Sequence, residues 1–245
     1  MPTYPAPQSP PPLGQAYLTE DISYFMGLDL GQQQDYTALI LLECRCPKPP
    51  QEGVRIVSVP GMGRVYEVPA DPPKQEKPWK PLRHYFIRQI TRFDHGTPYT
   101  TIIDFVISKF NHPALSHQTL AIDQTGVGRP VVEMFAKAKP KARIFPITIT
   151  GGSAVSITDT GWRVAKKELI SVCEVLLQSR RLEIAPSLVH AHTLTKELEM
   201  FKYEVTKSGN ETFEAWREKD HDDMVLAVAL AAWVSERGRK ELWVK

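Results

Sequence analysis

The sequence predicts a single α/β domain on a mixed sheet, in which an antiparallel meander gives way to parallel strands and helices cover the faces. Three observations predict it. Segments rich in β-branched and aromatic residues follow one another at Tyr24 to Leu30, Thr37 to Cys44, around Val54 to Val68, and His84 to Thr91, as strands joined by turns do. Beyond residue 100 short apolar runs alternate with helically spaced ones, the signature of parallel strands with helical crossovers. The chain then reaches Met224 to Trp233, a stretch apolar on every side, which reads as a helix packed deeply on the sheet.

Taken in order, residues 1–20 carry Pro2, Pro5, Pro7, Pro10, Pro11 and Pro12 with little apolar content, a composition that favours extended, solvated backbone. They are expected to be a tail or linker, with the folded domain over 21–245. The four β-rich segments form the meander, and Pro69 to Pro81, which carries Lys74, Glu76, Lys77 and Lys80 among its prolines, reads as an exposed loop between strands. Thr100 to Phe110 has helical spacing, Thr119 to Asp123 is a short buried strand, Pro130 to Ala138 a helix opened by proline, and Arg143 to Ile149 a strand. Gly161 to Gln178 and Ser187 to Met200 read as helices, Phe201 to Trp216 as a polar hairpin, and Asp222 to Val234 as the closing helix.

Composition excludes several classes. With 245 residues, 42% hydrophobic and 24% charged, the chain buries a full core and is not disordered as a whole. A net charge of +2 is not that of a polycation coating nucleic acid indiscriminately. Locally, Arg129 to Arg181 holds ten basic residues against four acidic ones, a surplus suited to a surface facing phosphates or to solvated helix faces. Cys44, Cys46 and Cys173 form neither a disulfide framework nor a zinc pattern. No basic-then-apolar leader and no run of 18 apolar residues occurs, so a cytoplasmic protein without a membrane span is expected.

Three acidic elements stand out. In YFMGLDLGQQQDYTAL, Asp29 sits inside an apolar strand between Gly27 and Gly31, where a lone carboxylate is costly unless paired or bound to a cation; the flanking glycines leave the backbone open to a bulky neighbour. A turn aspartate capping a hairpin is the plainer alternative. In LAIDQTGVGRPVVEMF, Asp123 ends a strand before a turn with Gly126 and Gly128, the place where open α/β sheets build ligand sites, or else a helix N-cap. In REKDHDDMVLAVALAAW, Asp220, His221, Asp222 and Asp223 precede an apolar helix. Capping explains one aspartate there, but clustered like charges repel unless a cation neutralises them.

Together these elements resemble the C-terminal nuclease domain of bacteriophage large terminase subunits, RNase H-like endonucleases that cut viral DNA during packaging. Asp29, Gly31 and Asp35 match the family's D-x-G-x-x-x-D setting, Asp123 with Gly126 and Gly128 its second acid, and His221, Asp222 and Asp223 the third. The match runs from about Tyr24 to Trp233. It implies an RNase H-like mixed sheet and a two-metal endonuclease acting on double-stranded DNA with little sequence specificity. It departs from the family in lacking a G-x-x-x-x-G-K-[ST] motif, so either the ATPase motor is a separate polypeptide or this chain is a fragment or relic; a separate motor, a small terminase or a portal protein are the candidate protein partners. The Pro69 to Pro81 stretch has no counterpart in the family pattern.

A cluster of carboxylates selects hard cations, Mg²⁺ or Mn²⁺, and two such ions about 3.5–4 Å apart serve phosphodiester hydrolysis. Asp29 is the expected bridging ligand, with Asp123 and Asp223 each completing one metal site and Asp222 the alternative to Asp223. The family pattern makes Asp35 a candidate outer ligand or water-orienting group, or else an ordinary hairpin-turn aspartate; His221 is a candidate to help bind metal or shuttle a proton, or else a helix-start residue. Lys166, which the family pattern places at a helix start near the scissile phosphate, together with Lys167 and Arg129, is a candidate for DNA contact. Two other readings fit part of the pattern. An actin-like or sugar-kinase-type ATP-binding domain would use GLDLGQQQD and DQTGVG as phosphate loops, and a DNA- or portal-binding module could keep the fold without catalysis.

Overall fold

A computed structural model describes residues 15–16, 20–31, 35–48, 55–59, 63–67, 82–113, 115, 118–126, 128–207 and 222–241. The chain divides into a smaller unit, Met1–Asp21 with Cys46–Arg83, and a larger one, Ile22–Arg45 with His84–Lys245. Elements in chain order are β1 (Gln15–Ala16), β2 (Glu20–Asp29), β3 (Thr37–Pro47), β4 (Arg55–Val59), β5 (Gly63–Glu67), β6 (His84–Phe93), α1 (Tyr99–Phe110), β7 (Gln118–Asp123), α2 (Gly128–Ala138), β8 (Arg143–Thr150), β9 (Val155–Thr158), β10 (Gly161–Ala165), α3 (Lys166–Gln178), β11 (Leu182–Ile184), α4 (Ala191–Lys207) and α5 (Asp223–Glu241).

In the smaller unit β1, β5 and β4 form an antiparallel three-stranded sheet in that order. The Val54 to Val68 run, expected within the meander, is therefore a hairpin in a sheet of its own. The Pro69 to Pro81 stretch lies outside the described residues.

The larger unit carries an eight-stranded sheet ordered β11-β6-β3-β2-β7-β8-β10-β9. β3 pairs β6 antiparallel, while β2, β7, β8 and β10 run parallel to one another in turn. This is the mixed sheet, antiparallel strands followed by parallel ones, that the sequence predicts. Side-chain alternation sorts the strands between two cores. Met26 and Leu28 of β2, Leu30 just beyond it, and Leu120 and Ile122 of β7 join Ile102, Val106, Val131 and Phe135 of α1 and α2. Ala38, Ile40, Leu42 and Cys44 of β3, and Ala121 of β7, join α3, α4 and α5 on the opposite face. α5 is buried at every position from Asp223 to Ser235, because it touches β7, α3 and α4 at once.

Gly27 makes that packing possible. On β2 it faces opposite to Met26 and Leu28, and a Cβ there would overlap the carbonyl oxygen of Ala227 in α5. The bulky neighbour expected beside Gly27 is the backbone of the closing helix.

Several elements differ from expectation. Gly161–Ala165 is a strand and the helix starts at Lys166. Trp162 and Val164 pair parallel with β8 and antiparallel with β9, so tertiary pairing overrides the helical reading. The short strands β9 and β11 were not foreseen. α4 continues through Lys207, into the segment read as a hairpin, whose remainder, 208–216, lies outside the described residues.

Inside β3, Glu43 is buried and accepts hydrogen bonds from Arg45 Nε at 2.7 Å and from Arg88 Nε and Nη2 at 2.8 Å each. The hydrogen bond from Arg88, with help from Arg45, holds its carboxyl below the ordinary value of 4.5. A carboxylate with a lowered native pKa stabilises the fold above its ordinary value and loses that contribution as the pH falls through the native one. Glu43→Gln is expected to cost about 1–2 kcal/mol near neutral pH, since both arginines are partly solvated. Urea unfolding should show a gap between the two proteins that narrows on acidification below pH 4.5.

Candidate active site

Asp29 and Asp123 end adjacent parallel strands. Leu28 pairs with Ile122, so the next residue of each strand stands at the same carboxyl edge of the sheet. Both acids also share a face. Asp29 is two residues beyond Gly27, and Asp123 two beyond Ala121, on the α5 side.

Helix geometry brings the third acid to them. Asp223 lies one turn before Ala227, the residue that meets Gly27. One turn of helix and two residues of strand advance by similar lengths, roughly 6 and 7 Å, so the first turn of α5 arrives at the strand ends. Asp29 is buried at 6% exposure and its carboxyl is held well above the usual carboxylate range. Burial is the largest cause, followed by the negative charges of Asp123, Asp223 and Asp222, with Lys166 opposing. Four acids from three elements therefore act on one another.

Three of them have partners. Asp123 Oδ1 accepts hydrogen bonds from the Thr125 amide at 2.8 Å and its hydroxyl at 2.5 Å. Asp222 Oδ2 pairs with Lys166 Nζ at 2.6 Å. Asp223 Oδ2 lies 3.7 Å from Arg92 Nη2. For Asp29, no hydrogen bond to the carboxylate occurs among the described residues. Among those residues, too, no three acid, histidine or cysteine side chains converge as a formed metal centre, which is the arrangement expected of carboxylates that repel one another and lean on separate partners. The donor set is nonetheless suited to a hard divalent cation: oxygen ligands only, with a buried acid at its middle that hydrogen bonds leave uncompensated.

The remaining sequence candidates are placed as follows. Asp35 is exposed in the turn after β2. His221 lies outside the described residues. Lys166, the first residue of α3, is buried and turned to Asp222, whereas Lys167 and Arg129 are exposed. Of the ten basic residues between Arg129 and Arg181, eight are exposed; Lys166 and Arg181 are buried, the latter bonded to Glu236 at 2.9 Å. Gly128, expected to give a phosphate close access, has its clearance filled by the Asp123 carbonyl.

Two residues beside the site escaped the sequence reading. Arg92, near the end of β6, pairs across from Ala38 and so faces α5. Glu197 of α4 has its carboxyl pushed up to about 7, chiefly by burial and also by Asp223 and Asp222, against the lowering influence of Arg92 and of the Val225 amide. The available signal was a charge on an apolar stripe, since Glu197 follows Leu194 by three residues and precedes Leu198.

Comparison with protein-family models found no match, and comparison with curated proteins found none. Among solved structures, the chain is similar to the large terminase nuclease from thermophilic phage G20c, with 16% sequence identity and a TM-score of 0.48 over 86% of this chain and 81% of that one. Among the described residues, no helix is long and apolar enough to cross a membrane.

Proposed function

We propose that the chain is a divalent-metal-dependent endonuclease that cuts double-stranded DNA with little sequence specificity, in the manner of a terminase nuclease acting in phage genome packaging. The observation that carries this reading is Asp29, a buried acid that feels Asp123, Asp222 and Asp223 together at the carboxyl edge of the sheet. Mg²⁺ or Mn²⁺ ions held there supply an activated water and neutralise the leaving 3′-oxygen.

The chain's own residues set up that chemistry. Asp29 would serve both ions, with Asp123 and Asp223 each holding one of them. Asp222 is occupied by Lys166, which favours Asp223 over Asp222 as the ligand and makes Lys166 a group that anchors the first turn of α5. Thr125 fixes one oxygen of Asp123. The exposed Lys167 and Arg129 contact backbone phosphates, which position DNA without reading its sequence. An ATPase motor, a small terminase and a portal protein are the partners such a nuclease would serve. The nucleotide-binding alternative is disfavoured, because the clearances at Gly27 and Gly128 are filled by the protein's own carbonyls.

Incubation with supercoiled plasmid tests the function. Nicking and linearisation are expected with Mn²⁺ or Mg²⁺ and none in EDTA, with cut sites that share no short sequence. Cleavage undiminished in EDTA, or no cleavage with either metal, would contradict the proposal.

A further inference from the structure

Arg92 and Glu197 border the acids assigned to metal without belonging to them. The Arg92 guanidinium lies 3.7 Å over the ring of Tyr36, and Tyr36 in turn stacks on His95 with centroids 3.7 Å apart. Its planar group is thus supported on one face, with Nη2 3.7 Å from Asp223 Oδ2. That separation is an ion pair but too long for a hydrogen bond. Among the described residues, Arg92 Nε and Nη2 and Glu197 Oε2 are buried and make no hydrogen bond. The charge of Arg92 also acts on Glu197, as does the Val225 amide of α5. Two carboxylates, one on α4 and one in the first turn of α5, therefore interact electrostatically with one forked cation whose buried donors neither saturates.

We propose that Arg92 is exchanged between these carboxylates: it neutralises Asp223 in the metal-free protein and turns to Glu197 when a divalent cation takes Asp223. The inference rests on Asp223 being a metal ligand. A cation entering beside a fixed guanidinium meets repulsion, and a second acceptor relieves it. Arg92 and Glu197 are positioning residues that act on the metal through Asp223.

Calorimetric titration of Mn²⁺ into the metal-free full chain, without DNA, tests the exchange. Arg92→Gln removes the competitor and is expected to tighten Mn²⁺ binding about tenfold, whereas Glu197→Gln leaves Arg92 on Asp223 and is expected to weaken it about tenfold. In the Arg92→Gln background, Glu197→Gln should change affinity by less than about threefold, because its effect passes through Arg92. A merely structural role would weaken binding in both single variants, and a general field effect would make the two changes add. Either result overturns the proposal, as does unchanged affinity in Glu197→Gln. Thermal unfolding checks that each variant folds. Arg92→Met, which keeps an unbranched side chain without the charge, replaces Arg92→Gln if the latter does not fold. Absence of Mn²⁺ binding by the wild-type chain would overturn the metal reading and the exchange together. Binding that Asp29→Asn abolishes and the Arg92 and Glu197 variants leave untouched would overturn only the exchange.

Discussion

Asp29→Asn is expected to lower Mn²⁺-supported DNA cleavage by several orders of magnitude while making the metal-free protein more stable. The two effects share one cause. Asp29 is buried among Asp123, Asp223 and Asp222, and its carboxyl is held well above the ordinary range. A group whose native pKa is raised favours the fold at low pH, below its ordinary value, and loses that contribution as the pH rises through the native one. At neutral pH the acid destabilises the fold, a cost that asparagine removes, and melting should rise by roughly 2–4 °C for each kcal/mol relieved in a domain of this size. The stability gap between Asp29→Asn and the wild-type chain should shrink on acidification, and addition of Mn²⁺ should raise the melting temperature of the wild type alone. Asp123→Asn should match the loss of activity. Retained cleavage in a folded Asp29→Asn protein would contradict the site.

Gly27→Ala carries the second large effect, on the fold. The added Cβ would overlap the Ala227 carbonyl, a backbone atom of a helix that is buried from Asp223 to Ser235, so neither partner has a flexible end that yields. Overpacking of a tight core costs about 1–3 kcal/mol or more, and here relief requires α5 to lift from β2. That motion would carry Asp223 away from Asp29, so cleavage should fall further than the fraction of folded protein does. Denaturant unfolding beside nuclease activity checks both parts; wild-type stability would show that α5 does not rest on Gly27.

Much of this arrangement was legible from residues, and what was not has identifiable physical reasons. Asp29, Asp123 and Asp223 stand out in the sequence because each interrupts or borders an apolar run, where an unexplained charge is expensive. The mixed sheet followed from the change of period near residue 100. The boundary between β10 and α3 was hidden because GWRVAKKELI passes from strand to helix without punctuation: Ala165 is extended, with φ −63° and ψ 137°, and offers no side-chain cap. α4 ran on through KYEVTK, whose β-prone residues suggested a hairpin. The hairpin of β4 and β5 carries an ordinary strand pattern, and the sequence holds no mark of the sheet to which it belongs. Long-range pairing was the least visible. Nothing local to Lys166 indicates that it turns to Asp222, 56 residues away, and the partners of Arg92 come from β3, α4 and α5.

Crystals of the wild-type chain soaked in Mn²⁺ and measured at the manganese absorption edge test the central claim most directly. The account predicts anomalous density at the carboxyl edge of the sheet, bounded by Asp29, Asp123 and Asp223, and its loss in Asp29→Asn. Density confined to other acids, or none at this edge under conditions that support cleavage, would contradict it.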